Sequence, residues 1–375
     1  MHFWKKYFNN PLAGLGLIFV TITAIIALLG YCITPDKTPF ANQQFIELTA
    51  LPPGSEVTFL AVPEKISALK ATSCFKTMLA GRPNDFKYFP IRSYYIRDTF
   101  LQVEPLGIIP PQYRGTITPG MLSMGKTYDT ASFASIVQNR YIVKKTFWLG
   151  TDRLGRDVLS RLIIGARVSL TVGIVAVFIA LLIGVILGAI AGYFRGYADK
   201  IILWLINVTW SIPTLLLVLS LTLVVKKGIL QVFIAIGLTM WVDVARMVRG
   251  QILSLREKEF IEACRALGYG HARILFKHIL PFTIAPLIVV STSNFASAIL
   301  IESGLSFLGL GVQPPVPSWG SMVKEHYGYL LIGKAYLPLI PGMAIALLTL
   351  AFIYMGNGLR DAFDIRSSSS EAITP

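Results

Sequence analysis

Six long apolar runs, separated by polar segments, dominate the pattern of this chain. Each run approaches the roughly 20 residues that an α-helix needs to cross about 30 Å of hydrocarbon. The runs lie at residues 11–33, 168–193, 201–225, 229–249, 280–302 and 337–357. The pattern predicts an all-α membrane protein with six transmembrane helices.

The basic residues predict how these helices are oriented. With the N-terminus in the cytoplasm, the predicted cytoplasmic segments and the last turn of the fourth run carry thirteen Lys and Arg residues, and the two short outer loops carry four. The positive-inside rule favours this arrangement, so we expect both termini in the cytoplasm. The run at 11–33 is longer than the apolar part of a signal peptide, and we interpret it as a retained transmembrane helix.

A long segment without an apolar run separates the first predicted helix from the second. Within it, residues 57–62 and 87–91 have the composition of strands, and residues 131–143 have the pattern of an amphipathic helix. We therefore predict a mixed α/β insert outside the membrane. The predicted divisions are residues 1–33, the insert at 34–146, a membrane core at 147–365 and a tail at 366–375.

The composition agrees with a membrane protein. Hydrophobic residues make up 54% of the chain and charged residues 14%, against about 25% charged residues in soluble proteins. The net charge of +14 follows from membrane topology, and we expect no nucleic-acid partner. The cysteines Cys32, Cys74 and Cys264 form neither a disulfide framework nor a metal site, although Cys32 and Cys74 can pair if both lie outside the cell.

Small and helix-breaking residues recur inside the predicted helices. Three glycines at four-residue intervals lie on one helix face and allow another helix to approach closely. Three prolines predict kinks, or backbone groups that neighbouring helices must satisfy. These residues are Gly184, Gly188 and Gly192, and Pro213, Pro286 and Pro341.

Residues 120–127, from Gly120 to Thr127, match the phosphate-binding pattern G-x-x-x-x-G-K-T. Such a loop binds nucleotide only between a strand and a helix, with a Mg²⁺-binding acid at the end of a second strand. Pro119 precedes the match, no acidic strand follows it, and the predicted topology puts it outside the cell, away from ATP. We interpret the match as chance and expect the chain to bind no cofactor and no metal.

Residues 259–281 form a polar island between two predicted helices. Glu262 can lie in the first turn of a short helix, and Gly268 suits the left-handed position that ends one. Ala263 and Ala266 allow a partner surface to approach closely. The residues alone leave two interpretations open, namely a docking helix for another protein or an amphipathic loop at the lipid headgroups.

A few polar side chains fall inside the predicted transmembrane helices. Such residues are costly in lipid and often face a cavity or a partner. Asn294 and Glu302 are candidates for a translocation pathway, and Glu302 is equally consistent with a solvated helix end. We expect Asp243 to pair with Arg246, three positions later on the same helix face, or with another helix.

The polar island contains Glu262-Ala263-Cys264, then Gly268, then an Ile-Leu-Pro sequence that ends at Pro281. This order resembles the EAA loop of binding-protein-dependent ABC importer permeases, and more narrowly the C-type permease subunit of dipeptide and oligopeptide importers. Further blocks that carry the same resemblance lie at residues 148–157, 305–320 and 358–364. Cys264 replaces the second alanine of the motif, a small change that should still fit a groove. The insert is longer than this type of subunit usually has.

The resemblance implies the type I ABC importer permease fold, with the EAA loop, at about 250–280, forming a coupling helix that inserts into a cleft on an ATPase. The coupling residues that it implies are Glu259, Glu262, Ala263, Cys264, Arg265, Gly268 and Pro281. The chain is then a non-catalytic subunit of the inner membrane. ATP and Mg act on partner subunits.

The partners that the resemblance implies are a second homologous permease in a heterodimer, two cytoplasmic ABC ATPase subunits, an extracytoplasmic peptide-binding protein and membrane lipid. The implied cargo is a dipeptide or oligopeptide. The same architecture could carry a nickel chelate, glutathione or a peptide antibiotic.

Two other classes of protein fit the residues less well. An ion-driven secondary transporter would need charges in broken midplane helices, whereas the charges here concentrate in the polar island. A membrane-bound enzyme would need a catalytic insert, but residues 34–146 contain no histidine and no paired carboxylate signature.

Overall fold

The computed structural model describes residues 2–63, 77–78, 80–98, 100–118, 122, 130–224 and 228–363. They form two compact units, each with its own apolar clusters. The helical unit contains the described residues of Met1–Ala27, Gly165–Lys324 and Leu339–Pro375, and the sheet unit contains those of Leu28–Ile164 and Glu325–Pro338.

The described helices are α1 (His2–Phe8), α2 (Pro11–Ile33), α3 (Thr130–Ile136), α4 (Val158–Phe194), α5 (Gly196–Ser211), α6 (Thr214–Val224), α7 (Ile229–Arg256), α8 (Glu259–Ala266), α9 (His271–Leu308), α10 (Trp319–His326) and α11 (Tyr336–Phe363). Five of them, α2, α4, α7, α9 and α11, are long and apolar enough to cross a membrane. The pair α5 and α6 passes the same test together. The prediction of a helical membrane protein is confirmed, with five apolar spans among the described residues and a sixth if the bent pair counts as one span.

The third predicted run is broken. Helices α5 and α6 meet at an angle of 96°. Pro213 stands at the break, and Ile212 before it is extended, with φ −92° and ψ 128°. A proline disfavours helical geometry in the residue that precedes it, which explains why α5 ends there. Pro286 and Pro341 lie inside α9 and α11.

Several helices are longer than their apolar runs. Helix α4 begins at Val158 rather than near residue 168, because the Asp157 carboxylate caps its first turn and accepts a hydrogen bond of 2.9 Å from the Ser160 amide. Helix α9 begins at His271 and includes a π-helical segment, Ile274–Ile279. Hydrophobic runs mark the part of a helix that lipid can cover, and polar turns continue beyond them.

The predicted glycine face packs as expected. A Cβ atom built on Gly184 would lie 2.5 Å from Cβ of Val244, and one on Gly188 would lie 2.5 Å from the carbonyl oxygen of Ala245. A Cβ on Gly192 would lie 2.9 Å from the carbonyl oxygen of Arg249. These distances leave no room for a side chain, so α4 and α7 touch through their backbones.

Among the described residues, the sheet unit contains five antiparallel strands in the spatial order β4-β3-β2-β1-β5: β1 (Ser55–Pro63), β2 (Phe86–Arg97), β3 (Phe100–Pro105), β4 (Gly115–Ile117) and β5 (Ile142–Phe147). Leu60, Leu101 and Phe133 are fully buried in its main cluster. The prediction of a mixed α/β insert is confirmed, and both predicted strands exist. The predicted helix at 131–143 ends at Tyr141, where a π turn leads into β5.

A buried ion cluster ties distant segments of the sheet unit together. The Arg156 guanidinium lies 2.5 Å from Oδ2 of Asp152 and 2.5 Å from Oε2 of Glu325. Arg161 lies 3.6 Å from the same Asp152 oxygen and 3.5 Å from the same Glu325 oxygen. Removing one member of such a buried set typically costs about 3–5 kcal/mol, because a charge is left without a partner.

Candidate functional site

Helix α8 is the short helix that the polar island predicts. Lys258 precedes it in extended conformation, with φ −82° and ψ 144°. Glu259 and Glu262 lie in its first turn, where the positive end of the helix dipole stabilises carboxylates. Arg265 lies in the last turn, where a cation is favoured. The order of charges therefore matches the polarity of the helix.

Gly268 ends α8 as predicted. Its φ is +73°, the left-handed conformation in which a side chain is strained. Its amide donates to the Arg265 carbonyl at 2.9 Å, and the Tyr269 amide donates to the Cys264 carbonyl at 3.1 Å. This pair of bonds is the Schellman motif, which satisfies the last carbonyls of a helix. Gly270, with φ −67°, has no such requirement.

Helix α8 has two faces of different character. Ile261 and Cys264 are buried in an apolar cluster that also contains Ile252 of α7 and Ile279 of α9. On the other face the polar and small side chains are exposed. These exposed residues are Glu259, Glu262, Ala263, Arg265 and Ala266. Cys264 therefore lies on the inner face, away from the small residues that a partner could approach.

Pro281 stands apart from α8. It lies at the start of the α-helical part of α9, directly after the π-helical segment. Proline is favoured there because its missing amide hydrogen is not needed by the first turn. The structure thus places Pro281 inside α9, in the first turn after the π-helical segment, rather than on the exposed face of α8.

Polar contacts join the ends of α4, α5 and α7 close to α8. The Arg249 guanidinium binds the Asp199 carboxylate through two bonds, of 2.5 and 2.8 Å. Arg195 binds Glu257 and lowers the pKa of that carboxyl group. Arg256 donates to the carbonyl oxygen of Tyr193. An arginine that binds a carboxylate through two hydrogen bonds fixes the relative orientation of the two side chains and also pairs their opposite charges.

A cavity of about 340 Å³ opens beside the break between α5 and α6 and is also lined by α7 and α9. Asp243 and Asn294 line it together with Trp210. The Asn294 side chain is almost fully buried, and its Nδ2 has no acceptor among the described residues. An unsatisfied buried donor at a cavity wall can bind a polar group of a ligand or a water molecule.

The structure adds detail to two residues of the sequence analysis, Asp243 and Glu302. Asp243 forms no ion pair with Arg246 within the described chain, because the Arg246 guanidinium stacks over the Trp210 ring at 3.7 Å. Glu302 lies outside the cavity lining. It is fully buried and accepts a hydrogen bond of 2.7 Å from Ser306. The structure therefore brings Asn294 and Asp243 to one cavity and leaves Glu302 in a separate cluster of serines.

The described residues contain one group that could reach a metal ion. Asp152, Glu325 and His326 place ligand atoms within 4.8 Å of one another. Arg156 and Arg161 already neutralise both carboxylates, so this donor set does not fit a cation. Residues 120, 121 and 123–127 of the phosphate-loop match, and Cys74, lie outside the described residues.

The sequence matches a family model described as a binding-protein-dependent transport system inner membrane component, over residues 184–368. The glutathione transport system permease protein GsiD of Salmonella paratyphi A is 44% identical over 217 residues, which are 58% of this chain and 71% of that protein. The protein of the same name from Shigella flexneri serotype 5b is 43% identical over 217 residues, with the same coverage of both chains.

Among solved structures, an inward-facing MetNI methionine ABC transporter is similar to this chain. The similarity has a TM-score of 0.47 at 19% identity and covers 55% of this chain and 98% of that chain. An amino acid ABC transporter with histidines has a TM-score of 0.40 at 17% identity, with coverage of 53% of this chain and 92% of that chain.

Proposed function

Because the chain belongs to the binding-protein-dependent transport system inner membrane components, and is a permease subunit of an ABC importer, we propose that it carries short peptides and receives work from ATPase subunits at α8. The chain itself is a non-catalytic subunit. In this proposal it binds no nucleotide, and ATP and Mg²⁺ act on the partner subunits.

The two faces of α8 carry the proposal. Its inner face, with Ile261 and Cys264, is fixed to α7 and α9 through one apolar cluster. Its outer face presents Glu262, Ala263 and Ala266 to a partner. A partner that pushes on this face moves α7 and α9 with it, because close-packed interiors transmit displacement.

A second set of contacts extends this movement to the cavity. The Asp199–Arg249 ion pair fixes α5 to α7, and the Arg195–Glu257 pair joins the turn before α5 to the end of α7. Helix α5 ends at the break, where Trp210 lines the cavity. We infer that displacement of α8 changes the shape of the cavity through α7 and α5 as rigid elements.

We propose a cargo with both polar and apolar groups. The cavity offers a carboxylate, Asp243, and an amide, Asn294, on a largely apolar wall, which suits a small peptide. The relatives named for glutathione transport support this class, since glutathione is a tripeptide. Glutathione is therefore the first cargo to test, followed by dipeptides.

The complete importer in this proposal contains a second homologous permease, two cytoplasmic ATPase subunits and an external peptide-binding protein. The charge distribution supports an orientation with both termini and α8 in the cytoplasm and the sheet unit outside. Lipid surrounds the apolar helices.

The test is reconstitution of the co-purified complex with its binding protein in proteoliposomes. We expect glutathione or short peptides to stimulate ATP hydrolysis and to accumulate inside the vesicles. If only a nickel chelate stimulates ATP hydrolysis, the peptide cargo is contradicted, whereas the ATP-driven mechanism is still supported. Cargo uptake that needs an ion gradient and no ATP would contradict the mechanism itself.

A further inference from the structure

Three consecutive aliphatic side chains are exposed on the turn that connects α10 to α11. Leu330, Leu331 and Ile332 are 49%, 92% and 64% exposed. We call these three residues the apolar tip. A contiguous apolar surface that is left exposed marks a place where a protein meets another molecule or a membrane. Within the described part of the chain the tip is not covered, so its partner comes from outside the chain.

The turn that carries the apolar tip is compact. A 3₁₀ turn, Tyr327–Leu330, leads into it. The Leu331 amide donates to the Gly328 carbonyl at 3.3 Å, and the Lys334 amide donates to the Tyr329 carbonyl at 3.1 Å. These hydrogen bonds bring the two ends of the turn together. The aliphatic side chains are therefore presented as one surface rather than along an extended strand.

Two polar side chains fasten the turn to the rest of the sheet unit. Nζ of Lys334 donates to the carbonyl oxygen of Ala50 at 2.8 Å, and the Tyr336 hydroxyl donates to the carbonyl oxygen of Leu51 at 2.7 Å. All four residues belong to the sheet unit. The polar groups that follow the apolar tip are thus bound within the protein, whereas its aliphatic groups form an exposed surface.

The length of α11 shows how close the apolar tip is to the membrane. No charged residue lies between Lys334 and Arg360. A helix needs about 20 residues to cross the hydrocarbon, so counting back from Arg360 places the opposite edge of the hydrocarbon near Ile340. Helix α11 begins at Tyr336, about 6 Å further out, which is within the headgroup layer. Leu331 is five residues earlier and lies at most about 18 Å from Tyr336.

The residues around the apolar tip have the composition of a membrane interface. Tyr327 and Tyr329 precede it and Tyr336 follows it. Tyrosine is enriched where hydrocarbon meets water, because its ring is apolar and its hydroxyl is polar. Exposed apolar side chains continue along α11 at Leu339 and Met343. The apolar surface of the tip therefore continues into a helix that crosses the membrane, which favours lipid as its partner.

We propose that the apolar tip inserts into the lipid bilayer, in the leaflet where α11 begins, and holds this part of the sheet unit at the membrane surface. The side chains of Leu330, Leu331 and Ile332 enter the region where acyl chains meet headgroups, and burial there removes their apolar surface from water. The proposal rests on the membrane-spanning character of α11 and is independent of the cargo and of the ATPase subunits.

The test measures the surroundings of one tip residue by fluorescence. The protein is extracted from its own membrane, with the subunits that accompany it, and placed in nanodiscs. With the native cysteines replaced by serine, Leu331→Cys carries the environment-sensitive dye nitrobenzoxadiazole. Some nanodiscs contain phospholipids with a doxyl quencher, either near the headgroup or near the end of the acyl chain.

The matched control is Lys87→Cys with the same dye. Lys87 is exposed and lies in β2 of the same unit. It pairs with Val62 of β1, seven residues beyond Ser55 and about 23 Å along the strand from it. The control therefore lies at the end of the sheet that is far from the segment before β1 to which the turn is fastened.

We expect the dye at Leu331→Cys to emit at shorter wavelength than the dye at Lys87→Cys. We also expect it to lose fluorescence in the doxyl nanodiscs, more with the quencher near the headgroup than with the quencher near the chain end. The dye at Lys87→Cys should emit equally with and without doxyl lipid. This combination of results assigns lipid as the partner of the apolar tip.

Three results would overturn the proposal. Emission from Leu331→Cys that matches the dye in water would show that the apolar tip stays in solvent. Emission at short wavelength without doxyl quenching would show that a protein subunit covers it. A change from aqueous to apolar emission only after the external binding protein is added would assign the tip to that protein.

Discussion

Gly268 is the residue on which the end of α8 depends. Its φ of +73° lies where a Cβ atom costs about 1–2 kcal/mol, although the space around it is open. Gly270 stands in equally open space with φ −67°. The two glycines therefore differ in backbone conformation but both have open space around them. A substitution at Gly270 can thus serve as the control for the same substitution at Gly268.

We predict that Gly268→Ala impairs coupling and that Gly270→Ala does not. Strain of about 1–2 kcal/mol reduces the population of the native helix end by a factor of about 5–30. Cargo-stimulated ATP hydrolysis of the reconstituted importer measures the effect, with membrane insertion checked by the amount of purified chain. Equal stimulation by the two variants would show that the helix end has no role in coupling.

Lys145 offers a pH-dependent prediction. The folded-state pKa of Lys145, about 8, lies below the ordinary value of 10.5. The folded protein therefore loses the proton of this side chain at a lower pH than the unfolded chain does. Between these values the unfolded chain binds the proton that the folded chain has lost, and the contribution of Lys145 to stability rises with pH. Acylation of Lys145, followed by mass spectrometry across pH 7–11, should show a midpoint near 8. A midpoint near 10.5 would contradict the burial of the Lys145 ammonium against the Tyr88 and Phe59 rings.

At the residue scale, the sequence predicted backbone roles better than side-chain environments. Gly268 was predictable because few residues tolerate a left-handed helix end. The burial of Cys264 was not, because an eight-residue helix does not show which face meets α7 and α9. Asp243 and Arg246 share a helix face in sequence, but Trp210, from a distant segment, decides where Arg246 lies.

At the scale of elements, the proposed route from α8 to the cavity passes through the ion pair between α5 and α7. The Asp199 and Arg249 side chains are 16% and 22% exposed, so water weakens their attraction only in part. Arg195 and Glu257 are more exposed, at 43% and 67%. Exposed pairs contribute little, so the first pair should matter more for coupling.

We predict that Asp199→Asn lowers the amount of cargo moved per ATP hydrolysed by roughly two- to thirtyfold, which corresponds to loss of about 0.5–2 kcal/mol of coupling. Glu257→Gln, the control, should change this ratio little. Arg249→Gln combined with Asp199→Asn should lose no more than either variant alone, because both changes break one interaction. Additive losses would show that the two residues act separately.

The elements themselves were largely predictable. Apolar runs of about 20 residues identify the membrane helices, and four-residue glycine spacing identifies the face by which α4 meets α7. The break between α5 and α6 was signalled by Pro213. Its angle of 96° depends on packing against α7 and α9, which a single segment does not encode.

At the scale of the whole molecule, topology is the first prediction. With native cysteines replaced by serine, Glu56→Cys should react with a membrane-impermeant maleimide in spheroplasts, because the proposal puts the sheet unit outside. Glu259→Cys should react only after the membrane is opened. Both positions are exposed, so a difference in labelling reports sidedness. Labelling of Glu259→Cys in intact spheroplasts would reverse the topology.

The sheet unit was only partly predictable. Strands β1 and β2 have clear β-rich composition, whereas β4 spans three residues and β5 follows directly from a π turn. The ion cluster of Asp152, Arg156 and Glu325 joins segments far apart in sequence. A single sequence carries no signal for such long-range pairing.

The central claim is that α8 is the surface through which an ATPase moves this chain, and photo-crosslinking tests it most directly. A benzoylphenylalanine at Ala263, on the exposed face of α8, should crosslink to an ATP-hydrolysing subunit in the intact complex. The same group at Trp148, which is also exposed, should not. Crosslinks from Ala263 to lipid alone would contradict the account.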